Sequence, residues 1–525
     1  MTDRHPASAE PAHGPDDTGR SEPAPAPATT PAPAPAPATT TSAPDPSSAS
    51  DLPDAPPSPS PDASASAVLS SVHHRSARAS YVDELRVAVD AGRIDTVLLA
   101  VPDLQGRLKG KRYGARHFLD RVLDGGAEMC AYILATDAEM TPSDGFALTS
   151  WASGYEDMTV VPDASTLRSL PWLPRTALIL GDAVAPGEDP VEVAPRQVLR
   201  HQLTRLAAHG LHARAGLETE FVLYRGIHTP GARVDHEGLV PVTEENLDYA
   251  LDHAPEADRY FRRLQGSLGE AGLPVEAVKT EGAPGQVEVT FPYGPAMAAC
   301  DNHLVFKHAA RTLAGRSGMT ATFMASPRTG LVSGLHLHIS LTRGGRPVLN
   351  HPDGRLSVTG EHAVAGLLAA LPGLAPLYAP NTNSYKRFAP DSFAPTRMTW
   401  GWDNRTCAVR VVGHGPGLHL EVRVPGADAN PYLALAAAVA AITHGIEKQL
   451  EAPPPCTSNA YQATDAPLLP LTLDQARSAF RHSTVADAAF GKAVVDHYTQ
   501  LAQLELDHQR RTVTDAEQAR WFTRA

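Results

Sequence analysis

With 525 residues the chain is too long for one small core, so two folded units plus unstructured sequence is the starting expectation. A formal charge of −13 at pH 7 and a pI near 5.9 argue against nucleic acid or an anionic membrane as partner, since both would repel it, and favour small-molecule ligands. The four cysteines, Cys130, Cys300, Cys407 and Cys456, lie far apart without a Cys-x-x-Cys pair, which speaks against a disulfide framework or zinc cage and for free thiols in the cytoplasm.

Residues 1–76 are Pro, Ala, Ser and Thr in near-repeats such as PAPAPAPATT, and the first aromatic residue is Tyr81. Such a segment buries too little apolar surface to offset chain entropy and reads as a disordered tail. No charged-then-apolar leader opens the chain, and the apolar stretch Leu433 to Ile442 is too short to span a bilayer. From 77 to 187 the pattern is that of short strands and tight turns. Ile94 to Val101 is rich in β-branched residues, Leu104-Gln105-Gly106 supplies a turn, and Arg107 to Tyr113 closes a hairpin. Tyr155 to Pro162 and Thr176 to Gly181 read as further strands of a small α+β unit. The joint Pro186-Gly187-Glu188-Asp189-Pro190 leads into a larger unit, 188–525, of long helices and strands. Leu199, Leu203 and Leu206 form a stripe on the helix after Pro195, and Asn430-Pro431 supplies the cap and first turn of an alanine-rich helix through Glu447.

The strands between those helices carry charge at every second position. In Gly216-Leu217-Glu218-Thr219-Glu220-Phe221 two carboxylates share one face of an apolar strand. Glu281 and Glu288 bracket Gly282-Ala283-Pro284-Gly285-Gln286, a turn that brings both side chains toward one place. Ser333-Gly334-Leu335-His336-Leu337-His338-Ile339-Ser340 repeats the alternation with imidazoles, and Leu420-Glu421-Val422-Arg423 with opposite charges. Taken singly, each pattern marks the solvated face of a strand. Together, five Glu and two His offer hard oxygens with limited nitrogen, a set suited to magnesium or manganese rather than zinc. Arg387, Arg405, Arg410 and Arg423 add guanidinium forks for carboxylate or phosphate.

GLETEFVLY, EGAPGQVEV, SGLHLHISL, NSYKRF, DNRTCAVRV and HLEVRVPGADANPYL, in that order, resemble the motifs of the glutamine synthetase family from about residue 90 to the C-terminus. The resemblance implies a β-grasp domain (77–187) followed by a catalytic domain (188–525) with a curved antiparallel sheet and flanking helices, α+β in class. It implies ATP as co-substrate, two or more Mg2+ or Mn2+ ions per subunit, and glutamate activated as an acyl phosphate before an amine attacks it. Homo-oligomeric rings, hexamer or dodecamer, are implied too. By motif, Glu220, Glu281 and Glu288 would hold one ion and Glu218, His336 and Glu421 the other. His338 and Ser340 would lie by the nucleotide, Arg387, Arg423 and Gly334 by glutamate, and Arg405 and Arg410 by the nucleotide's transferring phosphoryl group. Tyr249 would line the amine pocket.

Departures from the family pattern bear on the amine. Phe393 stands where ammonia-using members carry a flap glutamate, and an aromatic ring cannot accept a proton from ammonium. Leu331-Val332 replaces an Asn-Gly, and Ala135-Thr136-Asp137-Ala138-Glu139 replaces an Asp-Gly-Ser-Ser motif, leaving Asp137 or Asp157 as the candidate base. Asn459-Ala460-Tyr461 lacks the acidic run of the adenylylated loop. These features resemble the family's γ-glutamyl-amine ligases, which use polyamines or ethanolamine. The alternatives are an ammonia-using glutamine synthetase and a non-catalytic, nucleotide- or glutamate-binding regulator.

Overall fold

In the computed structural model, which describes residues 80–187, 189–227 and 238–525, the run after Ile94 becomes β1 (Thr96–Pro102) and turns back at Gly106 into β2 (Leu108–Gly114). The tail expected over 1–76 and Glu188 of the joint lie outside the described residues. Gly106 is required twice over: its φ of +71° is left-handed, and a Cβ would meet the Asn430 Cα at 3.2 Å. Asn430 explains the closeness. Its side-chain oxygen caps the helix Pro431–Lys448 by accepting from the Tyr432 N–H, while its amide donates to the carbonyls of Asp103 and Leu104 in the hairpin turn.

The first sheet has the order β2-β1-β6-β4-β3, where β3 is Ala127–Cys130, β4 Asp157–Pro162 and β6 Thr176–Val184; β5 (Arg168–Ser169) pairs with β6 on the side. β1 and β6 run parallel and the other pairs antiparallel. Its apolar side chains, among them Val97, Leu99 and Ile179, join the same core as Leu199, Leu337 and Val439, so burial continues across residue 187. Arg196, on the helix Pro195–Ala208, ties the two regions by charge. It binds Asp163 and Asp182 of the first region (2.8 and 2.9 Å) and Asp301 of the second (3.1 Å).

The second sheet has ten strands and is curved. Its main path is β14 (Trp400–Trp402), β15 (Val409–Val412), β16 (His419–Val422), β12 (Leu335–Arg343), β7 (His212–Arg225), β9 (Gln286–Thr290) and β8 (Ala277–Thr280). Short strands β10 (Gly294–Pro295) and β11 (Met319–Thr322) pair with β7, and β13 (Arg346–Pro347) with β12. Among the described residues of this sheet only β14–β15 is parallel.

Helices pack behind this sheet. Pro431–Lys448 and Val358–Ala370 approach backbone to backbone, since a Cβ on Gly366 would lie 2.2 Å from the Ala441 carbonyl. Among the described residues a longer apolar segment than Leu433–Ile442 is Val358–Leu377, 20 residues, long and apolar enough to cross a membrane by composition, yet mostly buried against Pro431–Lys448 as a core helix.

Candidate active site

Strand register assembles what alternation proposed separately. On β7 and β12, Glu218 lies opposite His336; on β12 and β16, His338 lies opposite Glu421; on β7 and β9, Glu220 lies opposite Glu288. The side chains then meet. His336 Nδ1 is 2.6 Å from Glu218 Oε1 and 3.5 Å from Glu421 Oε1, and His338 Nε2 is 3.2 Å from Glu218 Oε2. Two trios have ligand atoms all within 4.8 Å of one another: Glu218, His336 and Glu421, and Glu218, Glu220 and Glu288.

The second trio takes in Glu218 beside Glu220 and Glu288. Glu281, which the resemblance groups with Glu220 and Glu288, stays next to Glu288 and also accepts a hydrogen bond from Lys279, two residues earlier on the same hairpin.

So many carboxylates on one buried face cannot all ionise unaided. Burial drives the Glu220 carboxyl upward. Burial, with the charges of Glu218 and Glu281, pushes Glu288 up to about 10. Glu218 goes the other way: burial opposes ionisation, but His336 and His338 hold it well below the carboxylate range. In Glu421 the opposing burial is outweighed chiefly by Arg423. Oxygen-rich donors with one imidazole, short of positive charge, fit hard divalent ions.

Guanidinium groups border the acids. Arg423 pairs with Glu421, as does Arg410 at 2.8 Å, and Arg410 also holds Asp403. Arg387, 2 % exposed, spends Nη1 on the Arg423 and Val424 carbonyls; burial pushes its pKa down to about 10. The Nε atoms of Arg387 and Arg423 are buried without a protein partner. Donors left in that state suit an incoming anion. Gly334 leaves room beside them: a Cβ there would stand 2.7 Å from His336 Nε2 and 2.8 Å from Arg387 Nη2. Its N–H donates to Glu220 Oε2 at 2.7 Å.

The remaining residues singled out by sequence scatter around this centre. Ser340 is half-buried on β12 opposite Arg214, and Arg405 is exposed beyond β14. Phe393 (φ +56°) is exposed with its carbonyl 3.4 Å from Arg423 Nη2, and Tyr249 (φ +59°) is exposed with its ring over Lys279. Within this one chain Asp137 and Asp157 are not brought to the cluster. Asp137 holds the Thr141 N–H and lines another cavity, of about 370 Å³, with Gln105, Asp428 and Glu505; Asp157 is exposed on β4, opposite Cys130. Asp157 is on a strand of the first sheet and Asp137 in the loop that follows its strand Ala127–Cys130. Three residues were missed. Lys279 and His419 follow the same every-second-residue rule, before Glu281 and Glu421, and Asp403 lies seven residues from the Arg410 that it binds.

Comparison with known proteins places this site in context. The profile of the glutamine synthetase catalytic domain matches residues 192–521. A γ-glutamylethanolamide synthetase of Streptomyces coelicolor is 47% identical over 84% of this chain and 96% of its own length. A glutamate–isopropylamine ligase of a Pseudomonas species is 33% identical over 84% and 97%, and a glutamine synthetase of Thermus thermophilus 37% identical over 70% and 85%. Among solved structures, a GmaS/ADP complex superposes with a TM-score of 0.72 at 27% identity, covering 83% of this chain and 99% of that one.

Proposed function

The chain belongs to the glutamine synthetase family, and from that premise we propose that it is an ATP-dependent ligase coupling the side-chain carboxylate of glutamate to an organic amine. The observation that carries this reading is the meeting of Glu218, Glu220, Glu288, His336 and Glu421 on one face, bordered by two buried arginines with unpartnered Nε atoms. Divalent ions, Mg2+ or Mn2+ and two or more per subunit, would neutralise those carboxylates and draw charge from phosphate oxygens when bound.

The chain's own groups do the rest. Arg387 and Arg423 offer free donors for the carboxylates of glutamate, orienting its γ-carboxylate toward the terminal phosphorus of ATP. Attack there releases ADP and leaves an acyl phosphate. Arg410, and Arg405 from the rim, balance charge on the transferring oxygens, with His338 and Ser340 on the nucleotide side. The amine then attacks the carbonyl carbon, phosphate departs, and a carboxylate must take the amine's proton. Alkylamines have pKa values of about 9 to 10 and arrive protonated. Asp137 and Asp157 are the candidates, and since neither reaches the cluster of its own chain, the reading includes a homo-oligomeric ring, hexamer or dodecamer, in which a neighbour's small domain supplies the base. The free thiols of all four cysteines suit a cytoplasmic location.

An organic acceptor, of the polyamine or ethanolamine kind, is favoured over ammonia by Phe393, whose exposed ring offers carbon contact and no proton acceptor, and by the amines named for the relatives from Streptomyces and Pseudomonas. Phosphate release measured across ammonium and an amine panel tests it. Turnover should be greatest with an alkylamine, and Phe393→Glu should move the preference toward ammonium by tenfold or more; higher turnover with ammonium in the unmodified protein refutes the organic acceptor. Absence of any ADP release dependent on glutamate and magnesium would instead identify a non-catalytic binding protein.

A further inference from the structure

One edge of the acidic cluster holds a cation that belongs to the chain. Strand register sets Lys279 directly opposite Glu288, and Glu281 follows two residues later on the same side. The Lys279 Nζ donates to Glu281, and lies 3.9 Å from Glu288 Oε2, 3.5 Å from Asp248 Oδ1 and 4.2 Å from the centre of the Tyr249 ring. Its side chain is 18% exposed, although lysine at a strand edge is ordinarily free to extend into water. Tyr249 reaches this position from a left-handed backbone, φ +59°, with its N–H bonded to the Thr280 carbonyl at 3.3 Å. A bulky residue keeps such a conformation only where its surroundings compensate. Three carboxylates and an aromatic face make a complete ammonium berth.

We infer that Lys279 is a tethered cation seated at the Glu281–Glu288 edge, so that a divalent ion gains full coordination at this edge only by displacing the ammonium toward Asp248 and the Tyr249 ring. This rests on the proposed reading that the cluster holds divalent ions. A tethered charge competes without any loss of translational freedom, whereas the free ion must give up hydration to replace it. Capture of Glu281 by Lys279 is also why that carboxylate stands outside both trios. The other trio has cationic neighbours of its own, Arg410 and Arg423 on Glu421, and these are untouched by a change at Lys279.

The test is a titration of EDTA-stripped, full-length protein with Mn2+, following free Mn2+ by electron paramagnetic resonance, without glutamate, amine or nucleotide. Lys279→Met is expected to tighten one class of Mn2+ site by tenfold or more and leave the other within about threefold, while Lys279→Arg, which keeps the charge, stays close to the unmodified protein. Should K279M fail to fold when stripped, recovery of near-ultraviolet circular dichroism on adding Mn2+ supports the inference, because the metal replaces the missing charge; failure to recover overturns it. Unchanged or weaker binding in a folded K279M also overturns it. If neither protein binds Mn2+, the metal reading itself falls, whereas binding with unmoved affinities removes only the role of Lys279.

Discussion

Gly334→Ala isolates space as the variable. Gly334 is not in the left-handed region, so the alanine backbone is unstrained, and the change adds one methyl group at the entrance to β12. That methyl would meet His336 Nε2 at 2.7 Å and Arg387 Nη2 at 2.8 Å, against 3.4 Å for ordinary contact, so each neighbour must retreat by roughly 0.6–0.7 Å. Neither has slack. His336 is 3% exposed and bonded to Glu218 at 2.6 Å; Arg387 is 2% exposed and bonded to two carbonyls at 3.1 Å. Displacements approaching 1 Å in positioning groups cost on the order of 100-fold in rate. A fall of about 100-fold in kcat/KM, about 2.7 kcal/mol in the barrier, is expected in a phosphate-release assay under saturating ATP and Mg2+. Overpacking should cost only about 1–3 kcal/mol of stability, leaving a folded protein by circular dichroism. Activity within about threefold of the unmodified chain would show that Gly334 does not hold His336 and Arg387 at working distance.

Metal-free protein should become less stable as pH rises. The Glu288 carboxyl is pushed up to about 10 in the fold from an ordinary 4.5, so across that window it is protonated when folded and ionised when unfolded; its stabilising contribution is complete below about 4.5 and is lost as pH climbs toward 10. Glu218 and Glu421 are shifted downward and lose their contributions only at acid pH, as pH falls through their folded values. The melting temperature in EDTA should therefore drop by several degrees from about pH 6 to about pH 9, and excess Mg2+ should flatten the slope; a flat metal-free profile contradicts the reading. Arg196→Met should cost about 3–5 kcal/mol in urea denaturation, because Asp301 is left buried without its counter-charge; a loss below about 1 kcal/mol would mean the contacts are incidental. Asn430→Ala removes the helix cap together with two bonds to the hairpin turn and should cost about 1–3 kcal/mol, measured the same way, with a larger effect than Ser357→Ala, which removes the cap of Val358–Ala370 but lies far from the hairpin in sequence.

Much of the fold was legible because local chemistry and tertiary structure agree here. The hairpin turn at Gly106, the cap at Asn430 and the strand through Glu218 and Glu220 each follow from a few adjacent residues, and packing reinforces each one. The apolar length of Val358–Leu377 is harder to read from sequence, because three glycines and two prolines interrupt it, whereas in the fold it is mostly buried and Gly366 lets it approach Pro431–Lys448 closely.

The site was legible to a different depth. Alternation says which residues share a face, but only register says which of them meet. Grouping Glu281 with Glu220 and Glu288 comes from the family resemblance; the turn speaks only for Glu281 and Glu288, and it does bring those two together. What it could not supply was the cation between the strands. Like charges gathered on a sheet need positive partners nearby, and the chain provides them by the same two-residue step that gathers the acids: Lys279 before Glu281, Arg423 after Glu421, and Arg410 facing Glu421 across the β15–β16 pair. A lysine two residues before a glutamate ordinarily reads as a solvated strand face. Once the neighbouring strand presents another glutamate at the same register, as Glu288 does to Lys279, the cation has no reason to leave for water, and the pair becomes part of the site.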